Sequence, residues 1–228
     1  MAFYSMVSFF QKGGMFMYPI MLVFAVGMAI VVERMIQLNR VRNANRKIWT
    51  RLQPLLAKGQ FDKARDIISK DPSSVSQMLS MGLARQGAVR RREDIEIAME
   101  ESMMEIIPQL EKRTPYVALL SNIATLLGLL GTIMGLIQAF TAVANANPAE
   151  KADLLSASIS VAMNTTAFGL MSAIPLLLFH AKITSATGQI IDSLEMASVK
   201  ALNSISISKI KNSEKNNPNI KEKNEKNI

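Results

Sequence analysis

Three long stretches without a charged residue constrain this chain more than any other feature. They cover residues 13–32, 114–149 and 154–181, and they contain 20, 36 and 28 residues. A helix of roughly 20 apolar residues crosses the hydrocarbon core of a bilayer, so each stretch is long enough to span a membrane. The sequence therefore predicts an all-α polytopic membrane protein with three transmembrane helices.

The basic residues indicate how these helices are oriented. Of 26 Lys and Arg residues, 16 lie between residues 33 and 113 and 8 follow residue 181. The positive-inside rule places both segments in the cytoplasm, and the N-terminus and the turn after the second span on the outer side of the membrane. We therefore expect a multi-pass membrane protein, and the absence of cysteine is compatible with a bacterial inner membrane. Because the net charge of +8 is concentrated beside membrane spans and accompanies no nucleic-acid motif, we expect lipid contact and no nucleic-acid partner.

The predicted organisation alternates membrane and water-exposed segments. The second stretch is longer than a span requires, and the third continues past its last apolar residue in a helical pattern, so we expect long cytoplasmic helical extensions. The predicted segments are an N-terminal interfacial segment (1–12), the first span (13–38), a cytoplasmic helical loop (39–115), the second span (116–144), a periplasmic turn (145–153), the third span (154–182), a cytoplasmic helix (183–208) and a disordered basic tail (209–228).

Two helices are predicted in the cytoplasmic loop. Asp71 and Pro72 form an N-cap and first-turn pair for a helix that ends at Gly87. A second helix, residues 93–111, has Ile95, Met99, Met103, Ile106 and Leu110 on one face. We expect this helix to continue, bent at Pro108 and Pro115, into the second span.

The second span has a stripe of small and hydroxyl-bearing residues at helical spacing. It consists of Thr125, Gly128, Thr132, Gly135 and Ala139, and Gly131 and Gly135 form a GxxxG step. The third span has a similar stripe that includes Ser158, Ala162, either Thr165 or Thr166, Gly169, Ser172 and Ala173. Small residues let membrane helices approach closely, so Gly128, Gly131, Gly135 and Gly169 are predicted helix-packing residues.

The hydroxyl groups of these stripes have two interpretations. A threonine in a membrane helix often bonds to the carbonyl one turn earlier and only packs against its neighbour. Alternatively, the stripes face a common pore, in which Thr132, Thr165, Thr166 and Asn164 supply polar groups. Asn164 favours the pore, because a carboxamide inside a membrane is costly unless it faces protein or water.

Sequence motifs in the second and third spans resemble a known family of ion channels. "LLGLLGTIMGLIQAF" in the second span, "NTTAFGLMSAIPLL" in the third and "MYPIMLVFAVGMAIVVERM" in the first are similar to the MotA/TolQ/ExbB ion-channel family, most of all to its ExbB and TolQ branch. The likeness extends from residue 13 to about residue 207, and its most specific parts are "LLGTIMGLIQAF" and "TAFGLMSAIP".

The resemblance implies a fold, partners and a role for particular residues. It implies a homopentamer whose second and third spans surround the single transmembrane helices of an ExbD/TolR-like partner. Ion flow through this assembly would energise a TonB- or TolA-like protein across the periplasm, and the partner would supply the proton-carrying aspartate. The family's pore threonines correspond to Thr132 and Thr166.

One position departs from the family pattern. Proton-linked ExbB and TolQ proteins have a glutamate five residues before the third-span threonine, where this chain has Val161. Either the partner's carboxylate is sufficient for proton transfer, or the ion is Na⁺, which hydroxyl and carboxamide oxygens near Asn164, Thr165 and Thr166 would bind transiently. No permanent metal site and no cofactor are expected.

Catalytic motifs are absent from the sequence, which has one histidine and no cysteine, so we do not expect an enzyme. The function that the resemblance implies is the channel-forming subunit of an ion-gradient-driven motor. The alternative is a non-conducting oligomeric membrane scaffold, in which the small stripes serve only packing. The sequence leaves open whether H⁺ or Na⁺ is used, which load is energised, how many subunits assemble and what the tail does.

Overall fold

The computed structural model of the chain describes residues 14–85 and 92–216, with side chains to residue 208, and these residues form six helices. The helices are α1 (Met17–Ala57), α2 (Phe61–Ile68), α3 (Ser74–Arg85), α4 (Arg92–Glu111), α5 (Thr114–Ala144) and α6 (Lys151–Asn216). Three helical segments are long and apolar enough to cross a membrane: α1, the segment Arg92–Ala144, and α6 over Lys151–Ser208. The predicted all-helical fold with three long apolar helices is therefore confirmed.

The chain divides into two compact units. The first contains residues up to 36 and residues 112–185, and the second contains residues 37–111 and those from 186 onward. The long helices α1 and α6 each contribute to both units. We call them the membrane unit and the loop unit, because the first includes the apolar parts of all three long helices.

The membrane unit is held together by close contact between small residues and apolar side chains. Ile20 of α1, Ala124 of α5 and Ala173 of α6 form its buried core cluster, with Val23, Leu127 and Phe168 packed against it. Gly27 of α1 packs closely against the side chain of Leu176 on α6: a β-carbon on Gly27 would be 2.8 Å from Leu176 Cδ2. Large apolar side chains such as Leu126 and Leu178 are more than half exposed, as expected of a surface that faces lipid.

The loop unit has a conventional apolar core. Its buried residues include Leu52, Met78, Leu79, Met99 and Leu194. Gly82 of α3 allows α4 to approach, because a β-carbon there would be 2.8 Å from Cγ of Met99. The Arg65 guanidinium donates a hydrogen bond of 2.7 Å to the carbonyl oxygen of Leu83, which fixes α2 to the end of α3.

The start of α3 differs from the prediction. The helix begins at Ser74, so Asp71 is not its N-cap. Ser73 has that role, since its hydroxyl oxygen accepts a 3.4 Å hydrogen bond from the backbone N–H of Ser76. Asp71 supports the cap from outside the helix: its carboxylate accepts from the Ser73 N–H at 2.9 Å and from the Ser76 hydroxyl at 3.0 Å. The described part of α3 ends at Arg85, and Gly87 lies outside the described residues.

The boundary between α4 and α5 also differs from the prediction. Pro108 lies inside α4 without ending it, and Pro115 occupies the first turn of α5. The two helices are separated at Arg113, whose φ of 66° is in the left-handed region. A continuous helix that is only bent at its prolines was therefore the wrong expectation, because a left-handed residue ends a right-handed helix.

The long helix α6 continues past the predicted start of the tail. It extends to Asn216 and contains Pro175, whereas the tail was expected to begin at Lys209. The predicted interfacial segment 1–12 and residues 217–228 of the predicted tail lie outside the described residues.

Candidate functional site

Helices α5 and α6 approach most closely where two glycines face each other. A β-carbon on Gly128 would be 3.2 Å from Cα of Gly169, and one on Gly169 would be 2.9 Å from Cα of Gly128 and 2.8 Å from the carbonyl oxygen of Ala124. The neighbouring atoms are backbone atoms, which cannot move aside as a flexible side chain can. The two helices are therefore in backbone contact at this point.

The GxxxG step of α5 faces the small residues that precede Gly169. A β-carbon on Gly131 would overlap the methyl group of Thr165, and one on Gly135 would be 2.8 Å from Cβ of Ala162. Together with the contact at Gly128, these contacts follow one face of α5 for two helical turns. All four predicted packing glycines thus lie in the same contact between α5 and α6.

Two threonine hydroxyls meet at the edge of this contact. Oγ1 of Thr132 is in hydrogen-bonding contact with Oγ1 of Thr166. Both hydroxyls also reach the carbonyl oxygen of Gly128, at 3.3 Å from Thr132 and 3.0 Å from Thr166. Each hydroxyl has one proton and two lone pairs, so the three oxygen atoms share two protons and retain lone pairs for another donor or a cation. We call Thr132, Thr166 and the Gly128 carbonyl the oxygen cluster.

The other two predicted pore residues, Asn164 and Thr165, directly precede Thr166 on α6 but are not part of the oxygen cluster. Thr165 is 2 % exposed; its methyl group faces Gly131 and its hydroxyl donates to the Val161 carbonyl at 2.9 Å. Asn164 is partly exposed. The structure thus brings Thr132 and Thr166 together, and it places Thr165 in the packing contact.

Polar contacts that the sequence analysis missed also join the membrane unit. Ser121 is fully buried, and its hydroxyl donates a 2.8 Å hydrogen bond to the carbonyl oxygen of Ala173. Arg113 forms an ion pair with Glu33 of α1. Ser121 stands seven residues before Gly128, two helical turns earlier on the same face, which is the signal that would have identified it.

The segments that carry the oxygen cluster, residues 114–149 and 154–181, contain no Asp, Glu, Lys or Arg. Their one histidine, His180, lies 14 residues after Thr166 on α6. A membrane-depth proton relay requires a titratable group, so the cluster can hold water or a hard cation through its oxygens but cannot itself store a proton.

The fold and the contacts agree with the result of a family comparison. The sequence model of the MotA/TolQ/ExbB proton channel family matches residues 70–196, a segment that includes all of α5 and every candidate site residue. The chain belongs to this family. It is therefore a multi-pass membrane protein of a channel and transport family, and not an enzyme.

Three relatives illustrate which proteins the chain is similar to. A putative biopolymer transport protein, an ExbB homolog of Methanothermobacter thermautotrophicus, is 28 % identical over 85 % of this chain and 68 % of its own length. The biopolymer transport protein exbB1 of Vibrio cholerae is 28 % identical over 72 % of this chain and 73 % of its own length. The Tol-Pal system protein TolQ of Haemophilus influenzae is 32 % identical over 38 % of each chain. The predicted membership of this family is confirmed.

Proposed function

We propose that this family member is the channel-forming subunit of an ion-gradient-driven motor in the inner membrane. The oxygen cluster carries the proposal, because it places two hydroxyls and a carbonyl together within segments of α5 and α6 that contain no Asp, Glu, Lys or Arg. Thr132 and Thr166 are both partly exposed, so water or an ion can reach them from the edge of the contact between the two helices. Thr132 and Thr166 are therefore the proposed pore-lining residues, followed by Asn164.

Thr165 has a different role in this proposal. Its side chain is buried against Gly131, so it sets the distance between α5 and α6. Its effect on the pathway is then indirect, through the position of its neighbour Thr166. If the ion is Na⁺, the oxygens of Thr166 and Asn164 are its proposed transient ligands, with Thr165 beside them.

The proposed assembly includes partners that supply what this chain lacks. A homopentamer would surround the single transmembrane helices of an ExbD/TolR-like partner, whose aspartate would carry the proton. A TonB- or TolA-like protein would receive the work. Names of the relatives, "biopolymer transport protein" and "Tol-Pal system protein", support a load of this type. The distribution of basic residues supports a periplasmic N-terminus and a cytoplasmic C-terminus.

The test separates conduction from assembly. Thr132→Ala and Thr166→Val are each introduced into the full chain, co-expressed with its single-span partner. We expect energised transport or envelope function to be lost, while the complex is purified at its normal size. Thr141→Val is the matched control, because Thr141 lies on α5, is exposed, and its hydroxyl donates to the Ile137 carbonyl one turn earlier. Full function of both variants would refute the proposed pathway.

A non-conducting scaffold is the second candidate, and the backbone contact between Gly128 and Gly169 favours it. In a scaffold the stripes only pack helices, so Thr→Val changes would leave function intact. Larger residues at Gly128 or Gly135 would disrupt the contact between α5 and α6 within the chain in either case. The threonine variants, and not the glycine variants, therefore distinguish the two functions.

A further inference from the structure

The loop unit contains a basic cleft at residues that the proposed channel does not use. The cleft has a volume of about 340 Å³, and it is lined by residues of α1, α3 and α6. Those that the argument uses are Arg42, Asn45, Arg46, Trp49 and Gln189. This volume is within the range of small-ligand pockets.

Two arginines give the cleft its charge. Arg42 and Arg46 are four residues apart on α1, so their side chains lie on the same face of the helix, where like charges repel. Within the part of the chain that the structure describes, neither forms an ion pair, and no acidic residue lines the cleft. An anion bound between the two guanidinium groups would remove this repulsion.

Asn45 is the observation that points to a ligand. It is 4 % exposed, and its Oδ1 accepts a 3.3 Å hydrogen bond from the Val75 N–H in the first turn of α3. This bond identifies the other terminal atom as the amide nitrogen. Asn45 Nδ2 is buried and has no hydrogen-bond partner among the described residues. A buried amide donor without an acceptor is costly, and a ligand oxygen in the cleft would satisfy it.

We propose that this cleft binds a phosphate group. Guanidinium groups bind phosphate through parallel N–H donors, and amide donors such as Asn45 Nδ2 and Gln189 add neutral hydrogen bonds. The ligand is the phosphate of an anionic phospholipid headgroup or a free phosphate, and the experiment below distinguishes these sources. The proposal does not depend on the channel function, because none of the residues of the cleft belongs to the oxygen cluster.

The chain provides its own reporter of binding. Trp49 is the single tryptophan of the sequence and lines the cleft. In the first arm, the full chain in a neutral detergent is titrated with sodium phosphate against sodium chloride of equal ionic strength, and tryptophan emission is recorded. In the second arm, the emission of the chain in phosphatidylglycerol nanodiscs is compared with that in phosphatidylcholine nanodiscs.

Two variants and one control test the assignment. Arg42→Gln/Arg46→Gln removes the charge, and Asn45→Asp keeps the acceptor for Val75 while replacing the donor by a carboxylate. Each should weaken binding by about tenfold or more. Lys47→Gln/Lys63→Gln removes the same charge from exposed positions of the loop unit outside the cleft, and should retain binding within about twofold. Circular dichroism verifies that each variant is folded. If the double arginine variant unfolds, Asn45→Asp alone tests whether the cleft binds phosphate.

Each result has one meaning for the proposal. A saturable response to sodium phosphate that the cleft variants lose supports a free phosphate. A response only to phosphatidylglycerol, lost in the same variants, supports a lipid headgroup. No response in either arm, or equal weakening by the lysine control, overturns the proposal.

Discussion

Gly128 of α5 and Gly169 of α6 face each other so closely that a β-carbon on either would be about 3 Å from Cα of the other. The carbonyl oxygen of Gly128 also accepts a hydrogen bond from the hydroxyl of Thr166 on the facing helix. Close packing and the polar cluster are therefore parts of one arrangement. Loss of the glycine contact would separate the hydroxyls as well as the helices.

Gly169→Ala should weaken the membrane unit. The added β-carbon would be 2.8 Å from the Ala124 carbonyl oxygen, a backbone atom that cannot yield without moving α5. Overpacking of this kind costs about 1–3 kcal/mol. We expect a lower apparent unfolding temperature, by roughly 2–4 °C for each kcal/mol in a chain of this size, measured in detergent by circular dichroism.

Gly188 supplies the control for this prediction. It lies on the same helix, and a β-carbon there would have no atom within 4 Å. Gly188→Ala should be neutral or stabilise the helix by up to about 1 kcal/mol, because alanine is the better helix former. Equal destabilisation by both substitutions would mean that the close contact at Gly169 does not determine stability.

The sequence predicted the packing face of α5 but not the residue opposite each glycine. Spacing of 3 and 4 residues identifies which residues share a face of one helix. It does not identify which turn of α6 lies opposite, so the burial of Thr165 against Gly131 was not predictable. For this reason the sequence analysis included Thr165 among the candidate pore residues, after Thr132 and Thr166.

The capping of α3 shows the same limit of prediction from sequence, both for the residue beside the helix and for the residue that reaches it from α1. The motif around Asp71 correctly predicted a helix start in its vicinity, but Ser73 is the cap, because its hydroxyl is one helical turn from the Ser76 N–H. Asn45 caps the same helix from 30 residues away. A sequence pattern describes neighbours along the chain, and a contact between different helices has no such pattern.

Thr166→Ser should retain function, whereas Thr166→Val should lose it. Serine keeps the hydroxyl that reaches the Gly128 carbonyl and Thr132, and valine keeps the shape but removes the hydroxyl. Loss of the hydroxyl at this partly buried site costs about 1–3 kcal/mol, which corresponds to roughly 5- to 150-fold in rate if the hydrogen bond is needed in the conducting state. Ion flux into proteoliposomes that contain the complex measures this difference. Equal flux through the serine and valine variants would show that the hydroxyl has no part in conduction.

The proton is the expected ion, although no acidic residue lies in residues 154–181. Membership of a proton channel family supports it, and the carboxylate of the proposed partner would provide the titratable group. A protonophore should therefore abolish energised function at constant sodium gradient, whereas a sodium ionophore should leave it intact. The opposite result would favour Na⁺ bound by the oxygens near Asn164 and Thr166.

Asp71 should make the stability of the loop unit depend on pH. Burial raises the pKa of this carboxyl, but hydrogen bonds from Ser73 and Ser76 and the positive charge of Arg51 outweigh burial, so its pKa lies below the ordinary value. A carboxyl with a lowered folded-state pKa stabilises the fold above its unfolded-state pKa of about 3.9, and this stabilisation is lost as the pH falls through the folded-state value.

The comparison of Asp71→Asn with the unchanged chain tests this dependence. At pH 7 the variant should be less stable by about 1–2 kcal/mol, because hydrogen bonds to a charged acceptor are replaced by bonds to a neutral one. The difference should shrink as the pH is lowered below about 4, where the wild-type carboxyl also becomes protonated. Asp62→Asn is the matched control, because the Asp62 side chain is fully exposed and its ion pair with Arg65 has an N–O distance of 3.6 Å. If the stability difference for Asp71→Asn were the same at pH 7 and pH 3, the cap would act through shape and not through the charge of Asp71.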